Sequence, residues 1–97
     1  MYVMKLLGRH LLTDFATKHS DSRKRLAVMM NAIENATWGS PHDIRSQYPK
    51  ASVVNNGNVV FGLCHNKYRV WVHVDYVCQL VLVKNIGTHK EYDKWKI

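Results

Sequence analysis

Residues 58–93 read NVVFGLCHNKYRVWVHVDYVCQLVLVKNIGTHKEYD, and this stretch decides the fold. Three β-branched runs, Asn58–Cys64, Lys67–Val74 and Val77–Asn85, are separated by His65-Asn66 and Asp75-Tyr76 and leave through Gly87-Thr88-His89. Two-residue connections between such runs predict consecutive hairpins. Counting across two-residue turns sets Lys67 between Cys64 and Lys84, Arg69 between Gly62 and Leu82, Trp71 between Val60 and Leu80, and His73 between Asn58 and Cys78. Directly opposed residues share a face. The other face then holds Val59, Phe61, Leu63, Tyr68, Val70, Val72, Val74, Val77, Val81 and Val83, apolar enough to bury under helices. The mixed face gathers Lys67, Lys84 and Arg69 at one end, beside the space left by Gly62 and near His89. Like charges directly opposed cost stability unless an anion lies between them. This end is therefore where chemistry on a phosphate is expected.

Upstream, Leu7, Leu11, Leu12, Phe15 and Ala16 have helical spacing over Leu6 to His19. Leu26, Met29, Met30 and Ile33 repeat it over Asp21–Ala36. Ser20-Asp21-Ser22 separates the two and offers an N-cap. Arg23, Lys24 and Arg25 crowd the first turn of the second helix, where cations oppose the helix dipole, so helix stability does not explain them; most such runs are solvated faces, and contact with a partner or RNA is the competing reading. Ser40-Pro41-His42-Asp43 opens a short helix that ends by Tyr48-Pro49. Met1–Lys5 and Ala51–Val54 are short strands, and Asn55-Asn56-Gly57 is a turn. The order is β-α-α-(α)-β-β-β-β. This predicts an α+β fold in one domain spanning 1–97, with N-terminal helices on one face of a mainly antiparallel four- to five-stranded sheet. Thr88-His89-Lys90-Glu91 matches a capping box, so a last helical turn would hold His89 and Tyr92 on one side.

The chain has 97 residues, with 14 Lys+Arg against 7 Asp+Glu, a net charge of +7. That balance favours a polyanionic partner. No apolar run reaches the ~20 residues that span a bilayer and no signal peptide is read, so no membrane partner and a cytoplasmic location are expected. Cys64 and Cys78 fall in distant rows and read as reduced thiols. The six His and two Cys lack the close pairs of a zinc site, so neither a metal nor another cofactor is expected.

Val59-Val60-Phe61, Asn66-Lys67-Tyr68-Arg69-Val70 and Ile86-Gly87-Thr88-His89-Lys90-Glu91-Tyr92-Asp93-Lys94 together resemble the HigB toxins of bacterial toxin–antitoxin systems, of the RelE/ParE superfamily. Phe15-Ala16, Trp38 and Tyr48-Pro49-Lys50-Ala51-Ser52 fall where that family has comparable residues. The resemblance implies a small RelE-like domain that cleaves mRNA on the translating ribosome. It also implies a HigA-like helix-turn-helix antitoxin as partner and contact with operator DNA only through the antitoxin complex. The chain departs from the usual pattern at Gly62, His65, His73 and Lys84-Asn85.

RNA cleavage by transesterification requires the 2′-OH to lose a proton, the phosphorane to be stabilised and the leaving 5′-oxygen to gain a proton. Arg69 suits the phosphorane, because its guanidinium grips phosphate oxygens as a fork. His89 suits the proton transfers, and Tyr92 can orient the nucleophile or stack a base. These three are the catalytic candidates, with Lys67, Lys84 and His65 as RNA-binding candidates. A competing reading makes Arg69 an ion-pair partner of Glu91 or Asp93, His89 a cap and Tyr92 packing. Trp71 is expected to pack under the tail as core, the competing reading being a stacking surface for a base. The rival functions are a non-catalytic RNA- or antitoxin-binding protein on the same fold, motivated by Gly62, and a topoisomerase poison of the ParE kind.

Overall fold

The computed structural model describes residues 3–96. The expected start at Met1 and Tyr2 lies outside them. Strands β1 (Lys5–Leu7), β2 (Ser52–Val53), β3 (Asn58–Leu63), β4 (Tyr68–Asp75) and β5 (Leu80–Thr88) form one sheet in the order β1-β5-β4-β3-β2. Among the described strands only β1 runs parallel to its neighbour. Helices α1 (Arg9–Lys18) and α2 (Arg23–Glu34) follow β1, and α3 (Pro41–Gln47) precedes β2. A final turn, α4 (His89–Tyr92), leaves β5 directly. This is the α+β arrangement expected from the sequence.

Leu6 and Leu7 belong to β1 rather than to the first helix. The break comes at Gly8, whose φ of 86° is in the left-handed region and whose α-carbon lies against β5: a Cβ there would sit 3.1 Å from Val83 Cβ. Ser20–Ser22 forms a 3-10 turn rather than the start of α2, and Ser22 donates to the His19 carbonyl instead of capping α2. At α3, Asp43 reaches back to accept from the Gly39 N–H at 2.8 Å, while Ser40 makes no side-chain cap.

Leu12, Phe15, Leu26, Met29, Met30 and Ile33 of the first two helices are buried with Val59, Phe61, Val70, Val72, Val81 and Val83 of the sheet in one core. Each fully buried aliphatic side chain contributes on the order of 1.5–3 kcal/mol relative to exposure. Strand β4 shows the required period of two, with Tyr68, Val70, Val72 and Val74 buried and Arg69, Trp71 and His73 half-buried.

The β3–β4 register is the expected one: Arg69 lies opposite Gly62, Trp71 opposite Val60 and His73 opposite Asn58. His65 and Asn66 form the central pair of the turn, both at positive φ (57° and 67°), which suits the twist of a two-residue hairpin. The β4–β5 register is not the expected one. Asp75 accepts from the backbone N–H groups of Val77 and Cys78, both at 3.0 Å, and Gln79 takes a φ of 54°. The connection therefore has four residues, Tyr76 to Gln79, and pairs Asp75 with Leu80. Val77 is correspondingly an exposed turn residue and not part of the buried face. An irregularity between Trp71 and Val72 then skips Lys84, so that Trp71 faces Asn85 and Arg69 faces Gly87. Lys84 thus does not oppose Lys67, and His73 faces Leu82 instead of Cys78. Both cysteines are free, Cys64 half-buried and Cys78 exposed.

Candidate active site

Arg69 projects from the sheet face opposite the helical core and is flanked by glycine on both neighbouring strands, Gly62 on β3 and Gly87 on β5. The missing side chains leave room for others to come in. Over Gly87 lie Glu91 and Trp95, each 3.2 Å from where a Cβ would stand. Over Gly62 lies the Asn66 carboxamide, whose Oδ1 takes up the space of the corresponding Cβ. The first packing lets the C-terminal tail fold back across the sheet; the second places an amide in the row of Arg69.

The tail is held by the expected capping box. Thr88 Oγ1 accepts from the Glu91 N–H at 3.2 Å, and Glu91 Oε1 accepts from the Thr88 N–H at 2.9 Å. That backbone donor, with the Thr88 hydroxyl next, holds the Glu91 carboxyl below its ordinary range. The His89 N–H donates to the Lys67 carbonyl at 3.1 Å, so His89 takes the place beside Lys67 that the shorter turn would give to Lys84.

These anchors bring the three catalytic candidates together. The Arg69 guanidinium carbon lies 4.9 Å from the centre of the Tyr92 ring, a cation–π contact. The His89 imidazole meets the same tyrosine at 6.2 Å between centroids. His89 Nδ1 is 3.7 Å from Asp93 Oδ2, one helical turn on. Tyr92 continues into an aromatic row, with Trp95 at 5.6 Å and Trp71 another 6.2 Å on. Trp71 packs against the tail through Trp95 but is half-buried and lies outside the core, its indole N–H donating to Asn58 Oδ1 at 3.0 Å.

Among the described residues, Arg69 has no carboxylate partner, and its buried Nε has no hydrogen-bond partner. The ion pair with Glu91 or Asp93 is not formed: Glu91 is bound in its capping box and Asp93 lies against His89. A half-buried guanidinium that is not neutralised has its fork of donors open to an anion.

The RNA-binding candidates are dispersed. Lys67 donates to Asp21 at 2.9 Å, and the Tyr68 hydroxyl donates to the same carboxylate at 2.8 Å. Lys67 and then Tyr68 hold the Asp21 carboxyl below its ordinary range, and Asp21 in turn raises the Lys67 ammonium. Lys84 is exposed on β5 and His65 is exposed in the β3–β4 turn. Asn66 and Trp95 were not among the sequence candidates. A glycine facing Arg69 marks space, but which side chain enters it depends on the turn and on the course of the tail.

Comparison with known proteins agrees with this architecture. The family described as HigB toxin, RelE-like toxic component of a toxin–antitoxin system, matches residues 22–95. The chain belongs to the HigB toxin family. A relative from Escherichia coli K12, "mRNA interferase toxin HigB", is 26% identical over 92 residues, covering 93% of this chain and 88% of its own length. A relative from Escherichia coli O6:H1, "mRNA interferase HigB", is 24% identical over 93 residues, covering 94% and 90%. A Shigella flexneri protein of that name is 26% identical over 92 residues, with coverage of 93% and 88%. Membership of this family implies an antitoxin partner for this HigB-type chain. No helix among the described residues is long and apolar enough to cross a membrane.

Proposed function

We propose that this HigB-family protein is an endoribonuclease that cuts mRNA on translating ribosomes in the cytoplasm, using protein groups alone. The observation that carries this reading is the unpaired Arg69 guanidinium resting on Tyr92, with His89 against the same ring. A scissile phosphate meeting Arg69 would have its developing phosphorane charge shared with a fixed cation. His89 would move the proton, with Asp93 beside its Nδ1 to orient the ring. Tyr92 holds the guanidinium from below, and its ring, with Trp95 and Trp71, offers a surface on which flanking bases stack. His65 and Lys84 contact flanking phosphates, while Lys67 divides its charge between Asp21 and the RNA. The controlling partner is a HigA-like helix-turn-helix antitoxin, and operator DNA is reached only through that complex.

The binding-only alternative turns on Gly62 leaving Arg69 without a polar neighbour. The Asn66 carboxamide over Gly62 supplies polar character in that row, which favours the catalytic reading. The test is primer extension on ribosome-bound mRNA with wild type, Arg69→Ala and His89→Ala. Each variant should lose about a hundredfold or more of cleavage, the scale for removing a transition-state donor or proton carrier. Wild-type cutting by both variants would overturn the assignment.

A further inference from the structure

A second surface begins where the candidate active site ends. A groove of ≈ 760 Å³ runs between the start of α2, the segment after α3 and the end of β3, and Gly62 and Asn66 line its near end. Val28, Met29, Pro49 and Leu63 make its lining apolar, and Lys24, Arg25 and Lys50 add positive charge; no acidic residue lines it. Val28 is 68% exposed on the outer side of α2, an aliphatic side chain that the fold leaves in water. None of the three cations has a carboxylate partner among the described residues. Lys24 and Arg25 belong to the basic first turn of α2, which helix stability does not explain. Among the described residues, strand β2 pairs with Val59 and Val60 alone, and no strand lies on the outer side of Phe61 to Leu63, where the groove runs.

We infer that this groove receives an acidic, apolar-rich segment of the antitoxin, laid along the open edge of β3. Unpaired strand backbone offers hydrogen bonds to an added extended segment, and alternate side chains of that segment enter the apolar lining. The unpaired cations select acidic residues beside them. RNA is the less fitting occupant: nucleic-acid channels present exposed aromatic platforms, whereas here Phe61 is buried, Tyr48 is half-buried and the exposed apolar lining is Val28 and Pro49. A segment seated there would end at Gly62 and Asn66, beside Arg69. This inference rests on family membership, which implies an antitoxin, and not on the cleavage chemistry.

The test uses labelled peptides of about 15 residues, a length suited to groove recognition, tiled across the antitoxin and measured by fluorescence anisotropy. At least one acidic peptide should bind wild type. Val28→Glu and the double variant Lys24→Glu/Arg25→Glu should each weaken it by about tenfold or more. Leu82→Glu, exposed on the other face of the sheet, should leave binding unchanged. Circular dichroism confirms that the surface variants are folded, and mRNA cleavage by Val28→Glu should stay at the wild-type level. Absence of any binding peptide, or binding indifferent to the groove variants, overturns the inference. So does an RNA oligonucleotide whose affinity falls in the same variants while peptide binding does not.

Discussion

Replacing Gly87 by alanine tests how the tail is seated. The new methyl would stand 3.2 Å from Glu91 Cβ, Glu91 Oε1 and Trp95 Cζ2 at once. Two of these atoms belong to a side chain fixed by the capping box, and the third to an indole packed against Trp71 and Tyr92. None can yield alone, so the tail must lift by a few tenths of an ångström. Overpacking of this kind costs about 1–3 kcal/mol. For a domain this small, each kcal/mol lowers Tm by roughly 4–8 °C. Gly62→Ala is the matched control. Its only close obstacle is the end of the Asn66 side chain, which can swing away. Removing a strand glycine returns about 0.5–1 kcal/mol of backbone entropy, so this variant should melt close to wild type. Thermal melts by circular dichroism give both numbers. Displacement of His89 and Tyr92 should also slow cleavage by Gly87→Ala, by up to about a hundredfold for an ångström of misplacement. If Gly87→Ala melts at or above wild type, or Gly62→Ala is the more damaged of the two, the account of the tail packing is wrong.

Two further outcomes follow from the site. Tyr92→Phe keeps the ring under Arg69 and should retain cleavage within about tenfold, whereas Tyr92→Leu removes the cation–π support, worth about 0.5–2 kcal/mol, and should cleave less than Tyr92→Phe; equal rates for the two would remove the ring from the mechanism. The Asp21 carboxylate is depressed below 3.8, so its stabilisation is present above that value and lost as pH falls through the lower folded value. Lys67 is raised above 10.5, so its share is full below 10.5 and lost as pH rises through the higher folded value. The Tm difference between wild type and Asp21→Asn should therefore be widest between these limits and narrow at both ends; a difference independent of pH would contradict the pairing.

The sequence predicts the core side of the sheet well, because burial enforces a period of two. It predicts the β3–β4 register because a two-residue turn leaves one way to pair. It fails at β4–β5 for a local reason: the Asp75 carboxylate captures two backbone donors and lengthens the turn, which no alternation of apolar residues reports. The lengthening by an even step keeps Val81 and Val83 on the core side even though their partners change. The irregularity at Lys84 then reverses the inside–outside order, which turns Gly87 toward Arg69 and Ile86 toward the core. Lys84 therefore leaves the expected cluster, and the tail enters it. Arg69, His89 and Tyr92 are found together all the same, because the capping box fixes the last two and Arg69 lies in the row that Gly87 opens.

The central claim is that Arg69 and His89 act on one phosphate. A double-mutant cycle in single-turnover RNA cleavage tests it most directly, using wild type, Arg69→Ala, His89→Ala and the double variant. Groups that act as a unit lose activity non-additively, so the double variant should be little slower than the slower single variant. Losses that multiply across the two positions would place the residues in independent roles and contradict the account.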